Sequence, residues 1–183
     1  TSRWMEVAFP FDLTVNASDL STSFYSTSAF GEEIMEQVVK VEGVEAAYGV
    51  RSRTIPWGDL EIMAVSVDID GFFAMHRKHG TRGGPLDFDR PDVRASMASG
   101  AGVIISENLA ALDERKVGDE IELATPAGGR AFKVLGVVED YSWPLGTILL
   151  DRAAYRTIWD DPTLNYVDIR LSPGADADAT RAR

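Results

Sequence analysis

His76 and His79 are the only imidazoles in the chain. On a helix, a spacing of three residues puts both rings on one face, the beginning of a metal site. Arg77 and Lys78 stand between them and would oppose a cation, whereas the helical two-histidine zinc signature carries a Glu between its ligands. The expectation is a solvated basic turn. Asp68-Ile69-Asp70-Gly71 echoes the opening of a calcium loop, but the twelfth position, where a bidentate Glu belongs, is His79. It reads as a strand-to-turn junction. Asp87, Asp89 and Asp92 form a denser acidic patch with Arg90 among them, a candidate divalent-ion site whose default is a solvated loop. Ser99-Gly100-Ala101-Gly102 lacks the leading glycine of a nucleophile elbow and a partner histidine. No phosphate-binding glycine loop occurs. Asn16-Ala17-Ser18 fits a glycosylation sequon. The chain has no cysteine, which excludes disulfides, thiolate-bound metals and thiol catalysis. The expectation is a chain without catalytic residue, cofactor or metal.

The aromatics leave two readings open. Trp57, Trp143 and Trp159 lie at expected turns or a helix end, near Pro56, Pro144 and Pro162. They belong either to the core or to an exposed apolar edge that a partner covers. The candidate partner surface is Trp57, Trp143, Pro144 and Leu145.

Hydrophobic periodicity supplies the elements that must position these residues. Met5, Val7, Phe9, Phe11, Leu13 and Val15 alternate as a half-buried strand, with Pro10 at an edge or bulge. Residues 16–28 read as a Ser/Thr-rich loop. Phe30, Ile34, Val38 and Val41 make one helical stripe over 30–41, and Gly43 is a stop. A strand follows from Val44 to about residue 53, and another from Ile62 to Ile69. Phe72–His79 reads as a short helix and 80–102 as loop. Val103–Ser106 is a strand and Glu107–Leu112 a helix. Glu120–Ala124 and Phe132–Val138 form a hairpin through the turn at 126–129. Thr147–Leu150 is a strand, Asp151–Trp159 a helix with Asp151 as N-cap, and 167–171 a last strand. The tail from 175 begins a helix. Strand–helix–strand units at both ends pair into one α+β layer. The expected division is therefore residues 1–55 with 143–175 in one lobe and 56–142 in a smaller, inserted β-rich lobe.

The chain has 183 residues, with 18 Lys and Arg against 29 Asp and Glu, a net charge of −11. So acidic a surface repels phosphate backbones, which argues against nucleic-acid binding. The longest run of apolar residues and glycine is about six, Gly100–Ile105, whereas a membrane-spanning helix needs about 20. The chain lacks an initiating Met and stops in mid-pattern, so it reads as an excised piece of a longer protein.

Four segments in order resemble the extracytoplasmic core domain of MacB/FtsX-type ABC transporter permeases. They are Val41-Glu42-Gly43-Val44-Glu45-Ala46-Ala47, Val103–Ala110 with its Ser106-Glu107, Val117-Gly118-Asp119-Glu120-Ile121-Glu122-Leu123, and Phe132–Asp140 around Gly136. Asp113-Glu114-Arg115-Lys116 departs from the family's Gly-Leu-type turn. The resemblance implies an α+β fold: a porter-like lobe of two βαβ units with a smaller β-rich lobe inserted. It implies a non-catalytic domain outside the plasma (inner) membrane, set between two membrane spans, with 176–183 leading into the second. The implied partners are an ABC ATPase subunit and a second permease copy, together with a substrate or accessory protein. The isolated domain is expected to be a monomer. The alternatives are a free-standing extracellular binding module and, third, a hydrolase.

Overall fold

The computed structural model describes residues 11–16, 28–78, 87–140 and 142–182. The strands are β1 (Leu13–Asn16), β2 (Phe30–Gly31), β3 (Val44–Trp57), β4 (Leu60–Val67), β5 (Gly102–Ser106), β6 (Glu120–Thr125), β7 (Gly128–Val138), β8 (Thr147–Asp151), β9 (Thr163–Leu164) and β10 (Tyr166–Leu171). The helices are α1 (Ile34–Val38), α2 (Ile69–Lys78), α3 (Pro91–Ala98), α4 (Glu107–Leu112), α5 (Arg152–Trp159) and α6 (Ala177–Arg181). The fold is α+β, as expected.

Eight strands form one sheet in the order β1-β10-β3-β4-β8-β5-β7-β6, and β2 pairs with β9 apart from it. The sheet turns on β3. Its first half, Val44–Val50, pairs antiparallel with β10, and its second half, Arg51–Trp57, pairs antiparallel with β4. β3 alone joins β10 to β4, and no residue of it pairs on both sides. One element lies elsewhere than expected. β8, assigned to the outer lobe, lies between β4 and β5, parallel to the first and antiparallel to the second. Alternation reveals a strand but not its neighbours, so the misassignment is one of pairing.

Alternation along each strand sorts the core onto two faces. Ile62, Ala64, Val103, Ile105, Ile148 and Leu150 join Tyr155 and Trp159 of α5 on one face. Ile104 and Val67 join Phe73 of α2 and Val93 and Met97 of α3 on the other. A third cluster, with Val167, Ile169 and Leu171 of β10, packs on Val38 and Ile34 of α1.

Two helices differ from expectation. The stripe over 30–41 divides, because the Phe30 backbone pairs with Leu164 in β2–β9 and only Ile34–Val38 coil. Within the expected loop 80–102 lies α3, started by Pro91 at its first turn and buried through Val93 and Met97 one turn apart. Helix α5 is as read. Asp151 caps it by accepting from Ala154 N at 3.0 Å, and Asp160 ends it at φ 50°. Residues before 11, most of the loop after Asn16, and the stretch 79–86 lie outside the described residues.

Candidate functional site

Most of the described residues that could have carried chemistry have another occupation. His76 is fully buried in α2, not part of a solvated turn. Its ring lies 4.3 Å from that of Phe72, and its Nδ1 is 2.9 Å from Phe72 O. Ile69, Phe73 and His76 share the inward face of α2, so helix periodicity overrides the local basic composition. His79 lies outside the described residues. Asp68 accepts from Gly71 N at the start of α2, as a junction residue does. Asp89 bonds Arg77 and Arg94, Arg94 also bonds Asp70, and Asp92 pairs with Arg90 at 3.0 Å. Arginines thus pair with Asp89 and Asp92 of the acidic patch, and Asp87 is exposed. Ser99 Oγ donates to Ser96 O. Among the described residues no group of three His, Asp or Glu is placed to hold a metal. Of the sequon, only Asn16 is described.

The tryptophans divide. Trp57 and Trp159 are in the core, 9% and 6% exposed, and Trp159 stacks on Tyr155 at 4.9 Å. Trp57 therefore does not belong to an exposed edge. Trp143, Pro144 and Leu145 do form a surface turn. Trp143 is half-buried, its Nε1 donating to Glu61 O at 2.9 Å, while Pro144 and Leu145 are exposed. Asn108 of α4 donates to the Trp143 carbonyl at 2.8 Å and tethers the turn. Gly146 takes φ 103°, and a Cβ there would sit 2.9 Å from Leu109 Cα, so the turn lies flush on α4. Leu112, one helical turn after Asn108, is 53% exposed.

Strand register places this turn. Met63 opposes Thr147 and Ile105 opposes Ile148, so the starts of β4 and β8 and the end of β5 share one end of the sheet. The β3–β4 hairpin turns there too. The described chain ends lie at the other end. Leu171 opposes Val44, Leu171 N donates to Asp12 Oδ2 at 2.8 Å, and Ser172 N donates to Gly43 O at 2.9 Å. At about 3.3 Å per residue, the 14 residues of β3 separate the two ends by roughly 45 Å.

Two polar sites have no signature in the sequence. Where β3 changes partners, Asp161 accepts from Arg51 Nε (2.8 Å), Tyr155 OH (3.1 Å), Thr163 N (3.0 Å) and Thr163 Oγ1 (2.6 Å). Arg152 bonds the Asp161 and Thr163 carbonyls and Glu32, and Asn165 bonds Arg51 and Ser52 N. Burial raises the Asp161 pKa, but the bonds from Thr163 and Arg51 outweigh it and hold the carboxyl well below the usual range. The other is Asp168 of β10, 3% exposed, whose Oδ1 accepts from Thr14 Oγ1 at 2.8 Å. Burial pushes its pKa up to about 7, against a small lowering by Thr14. The Asp-Pro-Thr spacing at 161–163 was the available signal for the first, an Asx turn. Asp168 alternates with Val167 and Ile169 and so read as solvated.

The fold and its two ends define an α+β domain with both described ends at one pole and a surface turn at the other. The chain belongs to the MacB-like periplasmic core domain family, whose model matches residues 8–183. It is an extracytoplasmic domain of an ABC transporter permease. It is 29% identical over 183 residues to a protein of Mycobacterium tuberculosis described as an uncharacterized ABC transporter permease, covering 97% of this chain and 20% of that relative. Two solved structures share the fold. The extracellular domain of the noncanonic ABC-type transporter YknZ from Gram-positive bacteria matches at TM-score 0.56 and 16% identity, over 91% of this chain and 86% of that one. The periplasmic region of MacB from Actinobacillus actinomycetemcomitans matches at TM-score 0.59 and 12% identity, over 92% and 78%. No helix among the described residues is long and apolar enough to cross a membrane.

Proposed function

We propose that this domain carries movement rather than chemistry: it couples ATP-driven displacement of membrane helices to a substrate or accessory protein held outside the membrane. The observation that supports this is the opposition of its poles. The described chain ends converge beside Gly43 and Leu171, and the 143–145 turn lies at the far end of the same sheet. A continuous hydrogen-bonded sheet transmits a push with little internal give, because its packed core resists deformation. In the intact transporter an ABC ATPase supplies the movement and a second permease copy stands beside the first.

The test uses the assembled transporter, spin-labelled through Gly58→Cys at the hairpin tip on both copies. ATP is expected to change the distance between labels, and a variant ATPase unable to hydrolyse it is expected to abolish cycling. An unchanged distance in every nucleotide state overturns the reading.

The isolated domain is expected to be a monomer. Each copy carries −11, and two copies repel, most strongly at low salt. Without membrane spans and ATPase the contact must also offset ~4 kcal/mol or more of lost rigid-body freedom. Light scattering over a dilution series reads this, and a dimer mass persisting to low micromolar protein contradicts it.

A further inference from the structure

Strands β4 and β8 run parallel and end side by side, with Val67 opposite Asp151. The chain leaves β4 into α2 on one face of the sheet and leaves β8 into α5 on the other. Chains departing to opposite faces open a crevice at the strand ends, the place where parallel sheets hold ligands. A cavity of about 360 Å³ lies there, within the range of small-ligand sites. Its charged lining among the described residues is Asp68, Asp70, Asp151 and Arg94. Arg94 is committed to Asp70 and Asp89 and lies over the Phe73 ring at 5.1 Å. Arg152, next to Asp151 in sequence, turns its guanidinium to Glu32 and to the Asp161 and Thr163 carbonyls. Asp151 is 8% exposed, and its Oδ1 accepts from Ala154 N. The Oδ1 of Asp68 accepts from Gly71 N at 2.6 Å. Each of these two carboxylates keeps a second oxygen that no donor among the described residues fills.

We infer that this cavity binds a primary ammonium group on a short alkyl arm. The ammonium lies between the second oxygens of Asp151 and Asp68, and the arm rests on Ile69, Ala95 and Ala98. Asp68 is one residue beyond the partner of Asp151, on strands about 4.8 Å apart, so one nitrogen with its three donors serves both carboxylates. A largely buried carboxylate without a counter-charge is costly, and a paired cation removes that cost. Ala95 and Ala98 share a face of α3 with Arg94, and their small side chains leave the room that the arm takes. An anion would meet two carboxylates here. No group of three His, Asp or Glu among the described residues is placed for a bare metal ion. The site is separate from the movement proposed above and does not rest on it.

The probe is n-butylammonium chloride, titrated into the 183-residue chain and followed by amide chemical shifts. Saturating shifts are expected at 68–71, 94–98 and 151–154, with a dissociation constant of ~1–10 mM for so small a ligand. Butanol, butyrate and sodium chloride at the same concentration are expected to leave those residues unchanged. Asp151→Asn keeps an acceptor for Ala154 N, Asn being as good a cap, and is expected to weaken binding about tenfold. Ala98→Leu, at an exposed helix position, is expected to fill the cavity and remove the shifts. A second arm titrates lysine capped at both ends. Binding as tight as that of butylammonium assigns the site to a lysine side chain of a partner, and weaker binding assigns it to a free amine. No saturation, equal shifts with butanol or sodium chloride, shifts spread over the whole acidic surface, or indifference to both substitutions each overturns the inference. The spin labels test the coupling function separately, so either reading can fail alone.

Discussion

Asp168→Asn is expected to make the domain more stable than the natural sequence at pH 8 and nearly equal to it at about pH 3.5. The carboxyl is 3% exposed and has one hydrogen bond, from Thr14, to offset its desolvation. Across the sheet it faces Thr14 of β1 and Tyr48 of β3, and along β10 the neighbours on its face are Tyr166 and Arg170. Arg170 is engaged elsewhere, over the Tyr48 ring at 5.9 Å and with Glu45 at 3.2 Å. Asp168 in the folded protein therefore holds its proton up to about pH 7, while the unfolded chain releases it near the ordinary 3.8. A folded pKa raised in this way stabilises below the unfolded value. That contribution declines as pH rises from about 4 to about 7, and above 7 its loss is complete. Each unit is worth about 1.4 kcal/mol, so three units set an upper bound near 4 kcal/mol, which water penetration and local relaxation reduce to about 2. Asn removes the charge and keeps the size. The expected gain at pH 8 is about 4–8 °C in Tm for a domain of this length. A variant no more stable than the natural sequence at pH 8, or equally stabilised at about pH 3.5, contradicts the account.

This carboxylate shows where sequence reading stops. β6 and β10 were legible from alternation and β5 and β8 as short apolar runs, each with near-correct limits, whereas β7 begins four residues before the expected Phe132; α5 with its Asp151 cap was legible too, because period and capping are local properties. Asp168 occupies the outward phase of that same alternation. It is buried because β1 extends the sheet beyond β10 and α2 lies on its outer face, as the close approach of Gly71 to the Tyr48 ring shows. The charged appearance of 76–79 hid His76, since a helix decides burial by face and not by neighbours. Helix α3 was hidden by the Gly and Pro around it, although Pro91 is a helix-starting residue. The length of β3 was also missed. Arg51 and Arg53 interrupt the apolar pattern of β3 where it leaves β10 for β4, so one long strand read as a shorter one. At the far pole, composition identified Trp143, Pro144 and Leu145, but only coordinates separate them from Trp57, whose similar Pro-Trp neighbourhood lies in the core.

Asp161→Ala is expected to cost the domain about 3 kcal/mol, the low end for breaking a largely buried ion pair. The carboxylate is 13% exposed and Arg51 15%, so solvent screens the pair only in part. Four donors lose their acceptor together: Arg51 Nε, Tyr155 OH, Thr163 N and Thr163 Oγ1. An unmet buried donor costs more than a made bond contributes, so most of the loss is the desolvation left behind. Asp161→Asn retains an acceptor for Thr163 and should cost less. Arg51→Met combined with Asp161→Asn should cost less than the sum of the single changes, because neither partner then leaves an unpaired charge. The pH dependence is opposite in sign to that of Asp168. A lowered folded pKa stabilises above the unfolded value and is lost as pH falls toward the folded one, so the natural domain weakens below about pH 4 by an amount Asp161→Asn does not show. Urea midpoints at pH 7 and pH 3 measure both effects. Near-additive single and double substitutions, or an Asp161→Ala cost under about 1 kcal/mol, would show that the pair is screened like a surface one. The site of the damage matters for function. These bonds join β3 to the 161–165 segment at the point where the strand passes from one partner to the next, and a push from the chain ends must cross that point to reach the far pole. Loosening it in the assembled transporter should leave ATP hydrolysis running while the distance change at Gly58→Cys shrinks.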